Sequence, residues 1–507
     1  MRSSLTSTPH RTAAVGQRVC HFAAVALALL LTVLAASASA STYYVSPAGS
    51  DRAAGTSARH PWRTLARVDR LHLRPGDRIR LRGGAVFSGT LRVIGDGGGS
   101  ARRPVLVGSY GGGLATIDAG QGSGVEILDS GGVRLDGLVL DGSGPSSNVG
   151  SGVLALNSLP GAVKLRVLRI ENVQASGFGF AGIAVYGKPP DRSQSGYEDV
   201  TISHSVANGN RFYGVYVSGV EDPLASSYAN SNVIVSDSVA ADNLGNPDYP
   251  QSHSGDGIFL GDVNRGLVYG SIAHGNGTLN SCEGCGPVGI WAANAHDVTI
   301  EHSESYENHS GPGGDDGDGF DLDGGTTDCV LQYDYSHEND GSGFVIFGYA
   351  GAPHAVGANT VRFNVSRDDT RRGGYPAILL AGDGQAVTES AVYNNSVFLS
   401  PPVGGMPSAV EVLGEVSGAS ISANLLVTSG GLPLVNVPSP RPGLLFTGND
   451  YWPSGLPLQI NYNGVSYSSL GSWSAASGQE SATGAEAATS LEPGLSSAGV
   501  PMADVGP

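Results

Sequence analysis

A small residue followed by alternating side chains recurs along the chain: Gly214-Val-Tyr-Val, Gly257-Ile-Phe-Leu, Gly289-Ile-Trp-Ala, Gly319-Phe-Asp-Leu, Gly343-Phe-Val-Ile, Ala377-Ile-Leu-Leu and Ala409-Val-Glu-Val. Each reads as a strand with one side chain in and the next out. A second phrase precedes these strands, with Ser, Asp or Asn first and usually Asn sixth: Ser205 to Asn210, Ser238 to Asn243, Ser271 to Asn276, Ser303 to Asn308, Asp334 to Asn339, Asn364 to Asp369. Its sixth positions lie 33, 33, 32, 31 and 30 residues apart. Such a unit of short strands and Asn-, Asp- and Gly-rich turns cannot bury its own apolar face, so it must stack on its neighbours as a solenoid of parallel strands. The expected fold is all-β, with Asn243, Asn276, Asn308 and Asn339 stacked at one turn.

The ends of the chain fit one elongated body. The segment from Tyr43-Tyr-Val-Ser-Pro to Leu73-Arg-Pro-Gly-Asp77 reads as a strand, a loop, a short helix near Thr64 to Leu71 and a turn, which suits a terminal cap. Residues 1–40 join Arg2, Arg11 and Arg18 to the apolar run Phe22 to Ala36 and the small triplet Ala38-Ser39-Ala40, the pattern of a signal peptide cleaved after Ala40. That run is too short to span a bilayer, so a secreted protein without a membrane span is expected. Residues 41–474 are assigned to the solenoid. Residues 475–507, rich in Ala, Ser and Gly, are assigned to a low-complexity tail.

Charge narrows the partners. The formal charge is -17 and becomes -20 without residues 1–40, which hold three Arg and no acid, so nucleic acid is not an expected partner. Residues 52–103 nevertheless hold twelve Arg, whereas residues 301–328 hold nine acids and no Lys or Arg. Only Lys164 and Lys188 are lysines. In an exported chain Cys282-Glu-Gly-Cys285 reads as a short-loop disulfide, and Cys329 as a buried small residue.

Aligning the strands gives the outward series Ala184, Tyr216, Phe259, Trp291, Asp321, Val345, Leu379, with adjacent members ~4.8 Å apart. Tyr216, Phe259 and Trp291 then form an exposed aromatic run, suited to sugar rings, that leads to an acidic centre. That centre is Asp315, Asp316, Asp318, Asp321 and Asp323, five carboxylates in nine residues. Crowded acids call for a cation or shared protons, and oxygen ligands favour Ca²⁺. Asp256 lies two coils earlier in the turn equivalent to that of Asp318, so Asp321, Asp318 and Asp256 are the candidate catalytic acids. His253 and His309, each shortly before an acidic turn, are candidate substrate contacts.

The opening Tyr-Tyr-Val-Ser-Pro-Ala-Gly-Ser-Asp, the later Leu-Arg-Pro-Gly-Asp and the repeated Asn turns resemble exported bacterial right-handed parallel β-helix proteins of the pectate-lyase-like superfamily, over most of residues 42–455. The acidic cluster with a Gly-Phe strand one coil later resembles the calcium site of family 9 pectate lyases. There a Lys removes the proton, but here Val345 follows Gly343-Phe344. Arg371 is the candidate base, as Arg is in other β-helix lyases. The resemblance implies a monomeric enzyme cleaving a polysaccharide, led by calcium-assisted β-elimination. Hydrolysis by an Asp pair and a non-catalytic binding solenoid are the alternatives.

Overall fold

The computed structural model describes residues 40–95, 99–312, 314–372, 374–481 and 489. The expected signal peptide lies outside these residues save for Ala40, as does most of the expected tail. The described chain winds as a right-handed parallel β-helix. Each middle coil contributes two or three strands, and each strand pairs in parallel with its counterpart one coil on. No described helix is long and apolar enough to cross a membrane.

The inward and outward parity follows the alternation in sequence. Ile183, Val215, Ile258, Ile290, Phe320, Phe344 and Ile378 all lie in the central core. Phe320 and Phe344 stack there, with centroids 5.2 Å apart and planes 7° from parallel. Their outward neighbours are in register as Ala184, Tyr216, Phe259, Trp291, Asp321, Val345 and Leu379.

The two sequence phrases explain each other. Asn210, Asn243, Asn276, Asn308 and Asn339 are fully buried, and each Oδ1 from Asn243 onward accepts from the backbone N–H and the Nδ2 of the residue one coil earlier. Asp369 ends the ladder as an acceptor for Asn339. The Ser, Asp or Asn opening each phrase forms a second ladder, from Ser205 through Ser303, Asp334, Asn364 and Asn395 to Asn449. The small residue of the strand phrase is needed because the first ladder passes over it. A Cβ on Gly214 would lie 2.7 Å from Ala240 Cβ and 2.8 Å from Asn243 Nδ2. Gly214→Ala is therefore expected to cost about 1–3 kcal/mol through overpacking, read as a lower urea midpoint.

Both ends are sealed. At the start a short helix, α1 (Leu65–Val68), buries Leu65 and Val68, and Trp62 stacks on Tyr43 at 4.9 Å. At the far end α2 (Leu470–Ser477) buries Trp473 against Phe446, Tyr451 and Tyr462. The ordered end runs past the boundary expected at residue 474. Gln479 Oε1 accepts from Phe446 N, and Glu480 accepts from Asn449 Nδ2 and the Tyr451 hydroxyl, satisfying groups that no further coil would cover.

Candidate functional site

The outward row from Tyr216 to Leu379 is the floor of a cavity of about 690 Å³. Its walls are loops inserted between the two phrases. The separation from ladder residue to strand phrase is 4 residues at Asn210–Gly214 and Asn339–Gly343, but 14 at Asn243–Gly257, 13 at Asn276–Gly289 and 11 at Asn308–Gly319. These longer connections bring Gln251, Ser252, His253, Gly284, Cys285 and Asp316 over one side of the floor, while Glu221 lines the cavity from the loop after one floor strand and Tyr349 from the end of the strand Phe344–Tyr349. The Cys282–Cys285 disulfide, with Cα atoms 5.4 Å apart, closes the loop that carries Gly284. Cys329 is buried and free.

The walls correct the expectation of an exposed aromatic run. Phe259 and Trp291 face outward from the coil, yet they are only 5% and 4% exposed. They form an apolar cluster of their own, apart from the central core, with Tyr213 and Tyr216 against it. Phe259 and Trp291 stack at 4.1 Å, and the His253 ring meets Trp291 edge-on at 5.0 Å. Phe259 therefore covers one face of Trp291. The next floor residue is the short Asp321, so the row steps down beside the other face of the indole.

The acids divide by environment. Asp318 is buried and accepts the Ser342 N–H. Asp321 is 6% exposed, and its Oδ1 has no partner among the described residues. Trp291 Nε1, one coil away, also has none. Burial, reinforced by neighbouring carboxylates, raises both Asp318 and Asp321 well above the ordinary carboxylate range. Asp316 and Asp323, at the two ends of the same segment, are only half-buried. Burial and then Asp315 push Asp316 up to about 6. Burial likewise lifts Asp323 to about 7, with Asp316 adding to the rise against the Gly324 N–H that Asp323 accepts at 2.6 Å.

His253 faces this group. Its Nδ1 lies 2.8 Å from Asp256 Oδ2, and Asp256 Oδ1 accepts the Val288 N–H. Burial works against protonation of His253, but Asp256 outweighs it, helped by Asp323 and Asp316, so its pKa rises. Asp256 is wholly buried behind the imidazole and does not line the cavity. Its carboxylate holds the imidazole and the next coil's backbone.

Two other expected residues lie elsewhere. Arg371 donates to the carbonyls of Asp369 and Ser400, and His309 pairs with Asp340 at 3.4 Å. Neither is among the lining residues, and no Lys or Arg is among those described. Lys164 is bound to the carbonyls of Gln194, Tyr228 and Ala229. Asp315 is exposed, Asp318 and Asp323 are turned onto backbone N–H groups, and among the described residues no three His, Cys, Asp or Glu are grouped so as to hold a metal ion. Glu221, Tyr213, Tyr349 and Tyr375 line the cavity without having been singled out in the sequence.

No protein-family model matches the chain. Lacto-N-biosidase of Bifidobacterium longum subsp. longum is 24% identical over an alignment of 495 residues that covers 74% of this chain and 29% of that protein. The chain thus spans less than a third of the curated relative it matches. The crystal structure of a GH136 lacto-N-biosidase from Eubacterium ramulus superposes with a TM-score of 0.57 at 18% identity, covering 86% of this chain and 71% of the other. The mannuronan C-5 epimerase A-module of Azotobacter vinelandii follows with a TM-score of 0.51 at 15% identity, covering 74% and 91%. At these identities the structural likeness establishes one thing, a shared parallel β-helix fold.

Proposed function

We propose that the chain is a glycoside hydrolase that cleaves an oligosaccharide or the end of a polysaccharide with Asp316 and Asp323. The observation that carries this reading is the pair itself: two half-buried carboxyls lining one cavity, both raised by burial and by neighbouring acids, beside a floor of stacked aromatics. A pair of carboxyls with separated pKa values can divide acid from base. Asp323, the weaker acid, donates its proton to the departing glycosidic oxygen. Asp316, ionised, attacks the anomeric carbon or takes a proton from the water that does. Protonated His253, held by Asp256, favours the ionised form of Asp316.

The rest of the cavity supports sugar recognition. Trp291 and Asp321 lie in the cavity floor, and Glu221, Tyr349 and Tyr375 along its walls add polar groups that sugar hydroxyls can meet. The cavity volume lies within the ~300–1,000 Å³ range of small-molecule sites. The names of the relatives, a lacto-N-biosidase and a GH136 lacto-N-biosidase, agree with a glycosidase. Calcium-assisted β-elimination is the competing proposal. It finds no described Lys or Arg in the cavity to serve as base.

The pH profile of kcat/KM follows from the two carboxyls. Asp323 must keep its proton, so activity falls as pH rises through about 7. Asp316 must lose its own, so activity falls as pH drops through about 6. A narrow bell is expected, with limbs that belong to the coupled pair. Steady-state rates on a panel of aryl glycosides and glycans across this pH window test it, and a profile flat from pH 5 to 8 would sink the assignment.

A further inference from the structure

The first two coils carry a feature that the cavity does not use. Of the twelve Arg between residues 52 and 103, only Arg92 forms an ion pair with a described acid, through Asp69 and Glu126. The nearby acids are already engaged: Asp51 accepts from Thr64 and the Arg63 N–H, and Asp77 accepts the Arg74 N–H. Arg74, Arg78, Arg82, Arg102 and Arg103 are exposed.

Topology gathers these residues on one strip. Arg78, Arg80 and Arg82 alternate along the strand Arg78–Arg82, whose intervening Ile79 and Leu81 are buried. That strand pairs with Val105–Tyr110, placing Leu106 beside Arg78 and Gly108 beside Arg80. Arg74 and Arg102–Arg103 occupy the turns that lead into these two strands, which are joined by the Leu106 N–H to Asp77 carbonyl bond. Farther along the same strip the pattern changes. Arg134 is paired with Glu171 and Asp136, and Arg166 with Glu198 and Asp199. Along this strip, among the described residues, acids accompany arginines from the third coil on, whereas Leu106, Gly108 and Tyr110 stand opposite Arg78, Arg80 and Arg82.

We infer that this arginine-lined end of the β-helix binds an acidic polysaccharide, holding carboxylate groups of the chain on Arg74, Arg78, Arg82 and Arg103. Planar guanidinium groups match carboxylates two bonds at a time. Neighbouring outward arginines on one strand are ~6.7 Å apart and neighbouring coils ~4.8 Å, so a thin polymer lying along the strip meets several charges at once. Duplex nucleic acid fits poorly. Its major groove alone is ~12 Å wide, and it would overhang onto Glu171 and Glu198 of the following coils. The floor row of the cavity starts at Tyr216, four coil steps or ~19 Å from Arg92 in the same row, so the strip is separate from the cavity.

The test uses the full-length protein on beads carrying polygalacturonate and on unmodified agarose, a neutral glycan. Retention on the acidic beads at low salt, release by added salt and passage through agarose support the inference. The triple variant Arg74→Gln, Arg78→Gln, Arg82→Gln should lose affinity about tenfold or more and show a shallower salt dependence. Arg192→Gln, exposed on a later loop, should behave as the parent. Equal melting temperatures establish that the triple variant is folded, as its exposed side chains require. Failure of the parent to bind at low salt, equal binding by the triple variant, or displacement by duplex DNA as effective as by free polygalacturonate would each overturn it. Cleavage is not read out, so the result stands whether or not the cavity proves to be a hydrolase.

Discussion

Replacing either Asp316 or Asp323 with Asn is expected to lower kcat on a glycoside substrate by about 10²–10⁴, the usual worth of a positioned acid or base. The two variants should fail differently. Asp323→Asn removes the proton donor, so the loss should shrink on aryl glycosides whose leaving group departs without protonation. Asp316→Asn removes the carboxylate that meets the anomeric centre, so the loss should persist on those substrates and be relieved in part by added formate or azide. Asp321→Asn is the control that separates these roles from mere crowding of acids. Burial raises Asp321 well above the ordinary carboxylate range, and an amide of the same shape fits its buried place in the floor. Its kcat should stay close to the parent value, with any change in KM. If Asp321→Asn is as inactive as Asp316→Asn, the reacting pair has been misassigned within the cluster.

Much of this could be read from the sequence because the signals were periodic. Parity along each strand placed Ile290 inside and Trp291 outside, and the thirty-odd-residue interval placed Trp291 beside Asp321. Solvent exposure was not readable from parity. An outward residue is exposed only where no loop crosses it, and the loops over Phe259 and Trp291 have no period. Their signal was the varying distance between ladder residue and strand, 4 residues where a coil is bare and 11 to 14 where it carries a wall. Glu221 was missed for the same reason, since it reaches the cavity from a non-repeating loop, and Tyr349 because it ends the strand Phe344–Tyr349 where the register with the next coil slips. Asp256 and Asp318 occupy equivalent turns and each accepts a backbone N–H from the next coil, yet only Asp318 lines the cavity, because His253 covers Asp256. Arg371 matched the chemistry sought, but its turn directs the guanidinium to two carbonyls.

The largest stability effect is expected in the buried ladder. Asn276 Oδ1 accepts the Asn243 N–H and Nδ2, and its own Nδ2 donates to the Ala240 carbonyl and to Asn308 Oδ1. Asn276→Ala strips acceptors from two buried donors on Asn243 at once. An orphaned buried group costs about 1–3 kcal/mol, so a loss of about 3–5 kcal/mol is expected, with the space left by the amide adding to it. Urea unfolding should show a lower midpoint. Because coils interact chiefly with their neighbours, hydrogen exchange should quicken most around residues 240–310 and least at the two caps. Uniform acceleration along the chain would mean that the ladder is not the local fastening described here.

The central claim, hydrolysis in the walled cavity, is tested most directly by following product chemistry on a panel of neutral and uronate-bearing glycans, with a chelator in one series and calcium in its place in another. Hydrolysis predicts new reducing ends without ultraviolet-absorbing unsaturated uronate, lost in Asp316→Asn. Unsaturated product that appears only when calcium replaces the chelator would contradict the account and return the cavity to β-elimination.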